Sequence, residues 1–286
     1  MKKSVIMIGI LLIGGILTLS CDKTEDSLDE ILNEGKMIIA MDSNYPPQSY
    51  LNNQGDAEGF DVDVAKEVCQ RLGVTAEIVF PAWDAVTGGG WNEAWDISIG
   101  SMSATEERAE NLRFTDPYYY TAASFAAHQD DSLITAVSHL VGKTIGVADA
   151  STYEAYFYNE LTFIGGEIKY DPPPNATLVV YDVDLQALQA LAQGGGVVLD
   201  AVLSAKPTIQ NAIDAGLPLK HIGNPAFYEP LVFALDGDRG ATDKLLTRLN
   251  EIVADMHTDS TLIELSIKWY GVDLTSPEND SYGQFI

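Results

Sequence analysis

Ser101, Ser103 and Arg108 stand within eight residues of one another, at the end of an apolar run. Those residue types at that spacing suit a carboxylate. Two hydroxyls donate to its oxygens, and the planar guanidinium fork matches it oxygen for oxygen. Thr105 lies between them and is a good N-cap, so a helix is predicted from Glu106 with Arg108 in its first turn. A cation at that end opposes the helix dipole, so the arginine calls for an anion. Two anions fit the pattern: a neighbouring acid, Glu106 or Glu107, or the carboxylate of a ligand.

The rest of the chain supplies elements to position such a group. The run Asp96–Gly100 reads as a buried strand that delivers the serines. Val64, Ala65, Val68, Cys69 and Leu72 recur at three- and four-residue spacing, which predicts a helix over 61–72 with Gly73 as its stop. Further strands are predicted over 37–41, 75–80, 124–128, 144–147, 177–181, 197–203 and 231–235. Further helices are predicted over 151–161, 185–192, 207–215, 241–256 and 260–269. The first of these opens with Ser151 and Glu154 as a capping box. The segment 83–95, with three consecutive glycines, reads as loop or broken helix. Alternating strands and helices mean an α/β protein with mainly parallel sheets.

With 286 residues, 46% of them hydrophobic, the chain can bury the cores of two ordinary domains or one large one. Sixteen basic residues against 42 acidic ones give a net charge of −26, which argues against nucleic acid and anionic membrane surfaces as partners. The acidity fits solubility, a salty habitat or a cationic ligand. At the amino terminus, Lys2 and Lys3 precede the apolar run Val5–Leu19, and Ser20 and Cys21 follow. That pattern predicts a signal peptide over 1–20. Cys21 resembles the lipidated cysteine of a lipobox, although Thr18 stands where leucine is usual. A lipid anchor at Cys21 is expected, with an uncleaved anchor or an ordinary signal peptide as the other readings. All three place the protein outside the cytoplasmic membrane. Cys69 is expected as a buried, inert thiol. His128, His139, His221 and His257 are scattered, and neither a nucleophile elbow nor a phosphate loop is present. No metal, cofactor or catalytic residue is expected.

Five motifs in order then carry a resemblance: GKMIIAMDSNYPP (35–47), GFDVDVAKEVCQRLGV (59–74), DISIGSMSATEERAENLRFTDPYY (96–119), GKTIGVADASTYE (142–154) and STLIELSIKWYG (260–271). From Leu28 to Leu274 the chain resembles the bacterial solute-binding proteins of amino-acid ABC transporters, family 3. The resemblance implies a two-lobed periplasmic-binding-protein fold of type II, with two crossover strands and a ligand cleft between the lobes. The implied divisions are a tether over 21–35, lobe 1 over 36–125, lobe 2 over 126–226 and lobe 1 again over 227–286. The crossings would lie near 124–128 and 224–230. It also implies a monomer whose hinge closes on an amino acid or related small carboxylate, and whose closed form a membrane ABC permease recognises. By the same resemblance, Arg108 and Ser103 hold the ligand's α-carboxylate, and Ser151 and Thr152 close on it from lobe 2. Gly100 and Ser101 meet the ammonium. Asp42 and Tyr45 meet the side chain, Trp83 walls the pocket, and Asp149 reaches it from lobe 2. Bland alternatives stand beside three of these. Asp42 can cap its own loop, Trp83 can be core, and Ser151 can simply cap its helix.

Three departures from the family pattern matter. Gln48 stands where phenylalanine commonly follows the two prolines, and GGGWNEAWD replaces the usual stretch before the central strand. The lobe-2 aspartate that binds the ammonium in relatives falls here on Ala205, followed by Lys206. Either another acid (Asp149, Asp182 or Asp184) substitutes, or the ligand is not a standard α-amino acid. An enzyme similar to the exported cyclohexadienyl dehydratases, which keep the arginine, is the alternative function. A binding protein that presents its ligand to a separate receptor is another.

Overall fold

Two strands, Tyr119–His128 and Leu219–Asp236, pair antiparallel from Tyr119 opposite Leu231 to His128 opposite Leu219, with a register shift between Ile222 and Phe227. They are the spine of a computed structural model that describes residues 26–276. The predicted signal peptide and Cys21 lie outside the described residues. The spine strands are buried along most of their length and accordingly read as near-continuous apolar runs rather than alternating ones.

Each spine strand carries one half of the molecule. Ile97–Ser103 pairs antiparallel with Leu219–Asp236, and Lys36–Ala40 and Thr75–Val79 extend that side in parallel. Ala201–Ala205 pairs antiparallel with Tyr119–His128, and Thr144–Ala148 and Thr177–Tyr181 extend the other side in parallel. The result, among the described residues, is a ten-stranded sheet whose two halves are parallel and whose centre is the antiparallel spine. In the first half the helix Phe60–Leu72 places Val64, Ala65, Val68 and Cys69 against Ile97, Ile99, Leu249 and Ile252. Burial pushes the Cys69 thiol up to about 12, and Asp96 adds to the shift, so it stays protonated. The second half has apolar residues on both sheet faces, with Ile145, Val147 and Leu203 on one and Leu188, Val202 and Ile209 on the other.

The first core ends on one spine strand at Ala122, and Ala123 belongs to the second. On the other spine strand, Phe227 belongs to the second core and Leu231 to the first. The first changeover thus falls immediately before the 124–128 segment read from the sequence. The second, between Phe227 and Tyr228, falls within 224–230. The halves also touch through backbone. Thr105 bridges Phe163, the Glu106 N–H donates to the Thr162 carbonyl at 2.9 Å, and the Ile164 N–H donates to the Ala104 carbonyl at 3.0 Å.

Several elements differ from their prediction. The helix expected from Glu106 is a single 3-10 turn, Arg108–Glu110, because the chain must turn at once into the strand Leu112–Phe114. The conflict with a helix dipole inferred for Arg108 therefore falls away. The segment read as loop or broken helix, by contrast, agrees with its reading: Trp83–Thr87 form one short helix, and Gly89 and Gly90 then adopt left-handed φ. That turn lets Asp236 accept from the N–H groups of Gly90 and Trp91, at 3.1 and 2.7 Å. The strand predicted from Val197 begins only at Ala201, after glycines 194–196.

Candidate functional site

The two parallel half-sheets leave a cleft between the halves of the molecule. The ten residues named from the sequence all line it: Gly100, Ser101, Ser103, Arg108, Asp42, Tyr45 and Trp83 from the first half, and Asp149, Ser151 and Thr152 from the second. Five more wall residues join them: Ala148, Tyr153, Asp182, Asp184 and Glu229.

In the first half, Ile97–Ser103 delivers three of these groups. Gly100 packs closely, since a Cβ there would lie 3.2 Å from the Met41 Cα and 3.3 Å from the Trp83 ring. Trp83 therefore sits directly over the strand. Ser101 has a left-handed φ of 54°, a costly conformation for a side-chain-bearing residue. Its hydroxyl turns to a buried network, donating to Asp61 at 2.7 Å and lying 2.6 Å from the Tyr119 hydroxyl. The Tyr118 hydroxyl donates to the other Asp61 oxygen at 2.6 Å. Burial pushes the Asp61 carboxyl up to about 7, against the hydrogen bonds of Tyr118 and Ser101.

Thr105 does cap its turn, with its hydroxyl accepting from the Arg108 N–H at 3.2 Å. Arg108 is buried, and its two terminal nitrogens donate to the carbonyls of Ser103 at 3.0 Å and Ala150 at 2.9 Å. The second of these bonds reaches across the cleft. Burial lowers the guanidinium's pKa, while the charges of Glu229 and Glu107 hold it up. Glu229, 2% exposed, comes from the spine strand opposite Thr121. It accepts hydrogen bonds from the Ser103 hydroxyl and from the Thr152 hydroxyl, the latter at 2.9 Å. Burial raises its pKa, opposed by those hydroxyls and by the charge of Arg108.

In the second half, Ser151 caps the helix Thr152–Tyr158 by accepting from the Glu154 N–H at 3.2 Å. It also donates to the Ala148 carbonyl at 2.6 Å, so its hydroxyl is fully engaged in local structure. Asp42 shows the same duality, accepting from the Asn44 N–H at 2.7 Å while facing the cleft. Burial raises its pKa. The Tyr45 and Tyr153 hydroxyls meet across the cleft at 3.1 Å. Ala205 is buried and does not line the cleft. Asp184 does, from the start of the neighbouring helix Asp184–Leu191, with the Ser204 hydroxyl donating to it. Burial is the main cause that pushes it up to about 7, and the charge of Asp42 adds to the shift.

A cleft walled from both halves and from the spine between them is how binding proteins that close on a solute are built, and the comparisons agree. The family model for bacterial extracellular solute-binding proteins, family 3, matches residues 37–272. The chain belongs to that family. A probable amino-acid ABC transporter-binding protein of Haemophilus influenzae is 24% identical over 93% of this chain and 96% of its own length. The histidine-binding periplasmic protein of Salmonella typhimurium is 27% identical, over 84% of this chain and 89% of its own. Among solved structures, the ancestral amino acid-binding protein AncCDT-1, described as a precursor of cyclohexadienyl dehydratase, superposes with a TM-score of 0.73. It is 25% identical over 86% of this chain and all of its own. A mutant of the arginine-binding protein of T. maritima superposes with the same score of 0.73, at 25% identity over 86% of this chain and 99% of its own. The two-lobed type II fold is therefore that of this family, and the two halves of the sheet are its lobes.

Sequence reasoning missed three wall residues outright, Ala148, Tyr153 and Glu229. The signal for Glu229 was present. It is the one ionisable carboxylate in the apolar run Ala226–Leu235, where an acid has to be either exposed or used.

Proposed function

We propose that this protein is the extracytoplasmic solute-binding component of an ABC importer, and that it closes its two lobes on an amino acid or a related small amine-bearing solute. The observation that carries this is the composition of the cleft wall. Arg108 is the one Lys or Arg side chain lining it among the described residues, against Asp42, Asp149, Asp182, Asp184 and Glu229. A solute with at least one positive group complements such a wall. Asp184 takes the place of the acid that Ala205 lacks and receives the ammonium. Trp83 and Tyr45 flank the remainder of the solute. The lipid anchor at Cys21 keeps the protein beside its permease, and the protein works as a monomer.

A thermal-shift panel of amino acids, opines, polar amines and small carboxylates tests the reading, with Arg108→Ala as the control. A solute that binds only the folded form raises the melting temperature by mass action. Prephenate and arogenate belong in a parallel assay, because one structural relative is a precursor of a dehydratase. Saturable binding without turnover is expected. Turnover of either compound would replace a transport component by an enzyme.

A further inference from the structure

Side chains that the sequence assigns to a ligand's α-carboxylate, Ser103, Arg108 and Thr152, already hold groups of the chain itself. The Ser103 and Thr152 hydroxyls converge from the two lobes on one oxygen of Glu229. Two of the five N–H groups of Arg108 are used on the Ser103 and Ala150 carbonyls, at 3.0 and 2.9 Å. Its charge faces Glu229. The carboxylate at this end of the cleft is thus the protein's own, fixed on the spine strand and 2% exposed. A ligand carboxylate placed there would find no free hydroxyl. It would also lie beside a like charge, and two neighbouring carboxylates in one buried site do not ionise together without a large penalty. The cleft wall also offers Asp42, Asp182 and Asp184.

We propose that Glu229 fills the α-carboxylate subsite with a carboxylate of the chain itself. The cleft then takes a small organic dication, a diamine or guanidinoamine, that lacks a carboxylate at the Glu229 end. One positive group meets Glu229 between Ser103 and Thr152, and the other meets the acids around Asp184. This rests on the reading that the cleft is a solute site. It makes Glu229 a specificity-determining residue, and it gives the absent acid at Ala205 a reason. A ligand without a zwitterionic head does not need the family's ammonium clamp in its usual place.

Matched pairs that differ only by a carboxylate test it: agmatine against L-arginine, putrescine against L-ornithine, and cadaverine against L-lysine. Each is titrated calorimetrically into the intact mature protein and into Glu229→Gln, which keeps the shape and removes the charge. Thermal unfolding of the variant confirms that it is folded. In at least one pair the amine is expected to bind tenfold or more tightly than its amino acid. Glu229→Gln should narrow or reverse that ratio by tenfold or more, chiefly by admitting the amino acid. Glu229→Ala provides the same readout should Gln retain the hydroxyl contacts too well. Equal or tighter binding of the amino acids by the unaltered protein overturns the proposal and leaves the solute-site reading intact. So does a preference for amines that neither variant changes. Silence toward all six compounds and toward a wider panel of amino acids and small carboxylates overturns both.

Discussion

Arg108 and Asp184 both line the cleft, and each makes a measurable demand. Arg108 donates two charge-assisted hydrogen bonds, one of them across the cleft to Ala150. Bonds of that kind contribute roughly 1.5–3 kcal/mol each. Arg108→Ala should therefore lower the stability of the free protein by about 1.5–3 kcal/mol or more, since both bonds go to its own carbonyls. It also leaves Glu229 buried without its countercharge. Urea unfolding of the variant checks this, and an unchanged midpoint would show that neither bond holds the free protein together. Asp184 is pushed up to about 7 mainly by burial, so near neutral pH the free protein holds a proton there part of the time. A positive group bound beside it favours the ionised form and expels that proton. Affinity should then rise from pH 5 to pH 8. Titrations between pH 6 and 7 in buffers of different ionisation enthalpy should show proton release that Asp184→Asn abolishes. Proton uptake, or none at all, would separate Asp184 from the ligand.

At the scale of elements, two close approaches fix the first lobe's contribution. Gly59 precedes the helix Phe60–Leu72 with φ of 135°, and a Cβ there would lie 2.1 Å from the Gln48 carbonyl oxygen. Gln48 is itself fully buried, and its amide donates to the Thr208 hydroxyl of the other lobe at 3.0 Å. Gly59→Ala should thus cost about 2–4 kcal/mol in denaturant unfolding and weaken ligand binding as well, because backbone against backbone cannot give way. A variant as stable as the parent would show that the loop has room to shift. The same elements show what periodicity can and cannot convey. The helix over 61–72, the buried strand before Ser101 and the cap at Ser151 were legible because each is a local choice of residue types. The turn at Arg108 was not, because Thr105 caps a 3-10 turn as well as it caps a helix, and what stops the helix is the pairing of Leu112–Phe114 with a strand more than a hundred residues away. Glu229 and Asp184 were legible only in part for a related reason: Glu229 stands out as the lone acid of an apolar run, and Asp184 as one of three acids that could substitute at Ala205. Which groups they meet comes from the crossing of strands from two lobes, and nothing within a few residues of either announces that.

For the whole molecule, two buried carboxyls set how stability depends on pH. Asp61 and Asp184 are both pushed up to about 7 by burial. In the unfolded chain each loses its proton near the ordinary aspartate value of about 4. Between about pH 4 and pH 7 the folded state therefore holds protons that the unfolded state has lost. The stabilisation they give is complete below that window and disappears as pH rises through it, with a slope of up to about 1.4 kcal/mol per pH unit for each group. Urea midpoints should be higher at pH 5 than at pH 8, and Asp61→Asn should flatten part of the difference. A midpoint that rises with pH would place Asp61 in contact with solvent. The bonds that join the lobes through Glu106 and Ile164 have another kind of consequence. Both amides are satisfied by carbonyls of the opposite lobe, so each is protected only while the hinge is shut. Their deuterium uptake is then a built-in gauge of the gaping motion. A solute that holds the lobes together should slow exchange at these two positions by the same factor by which it biases the hinge, while amides buried inside either lobe keep their own pace.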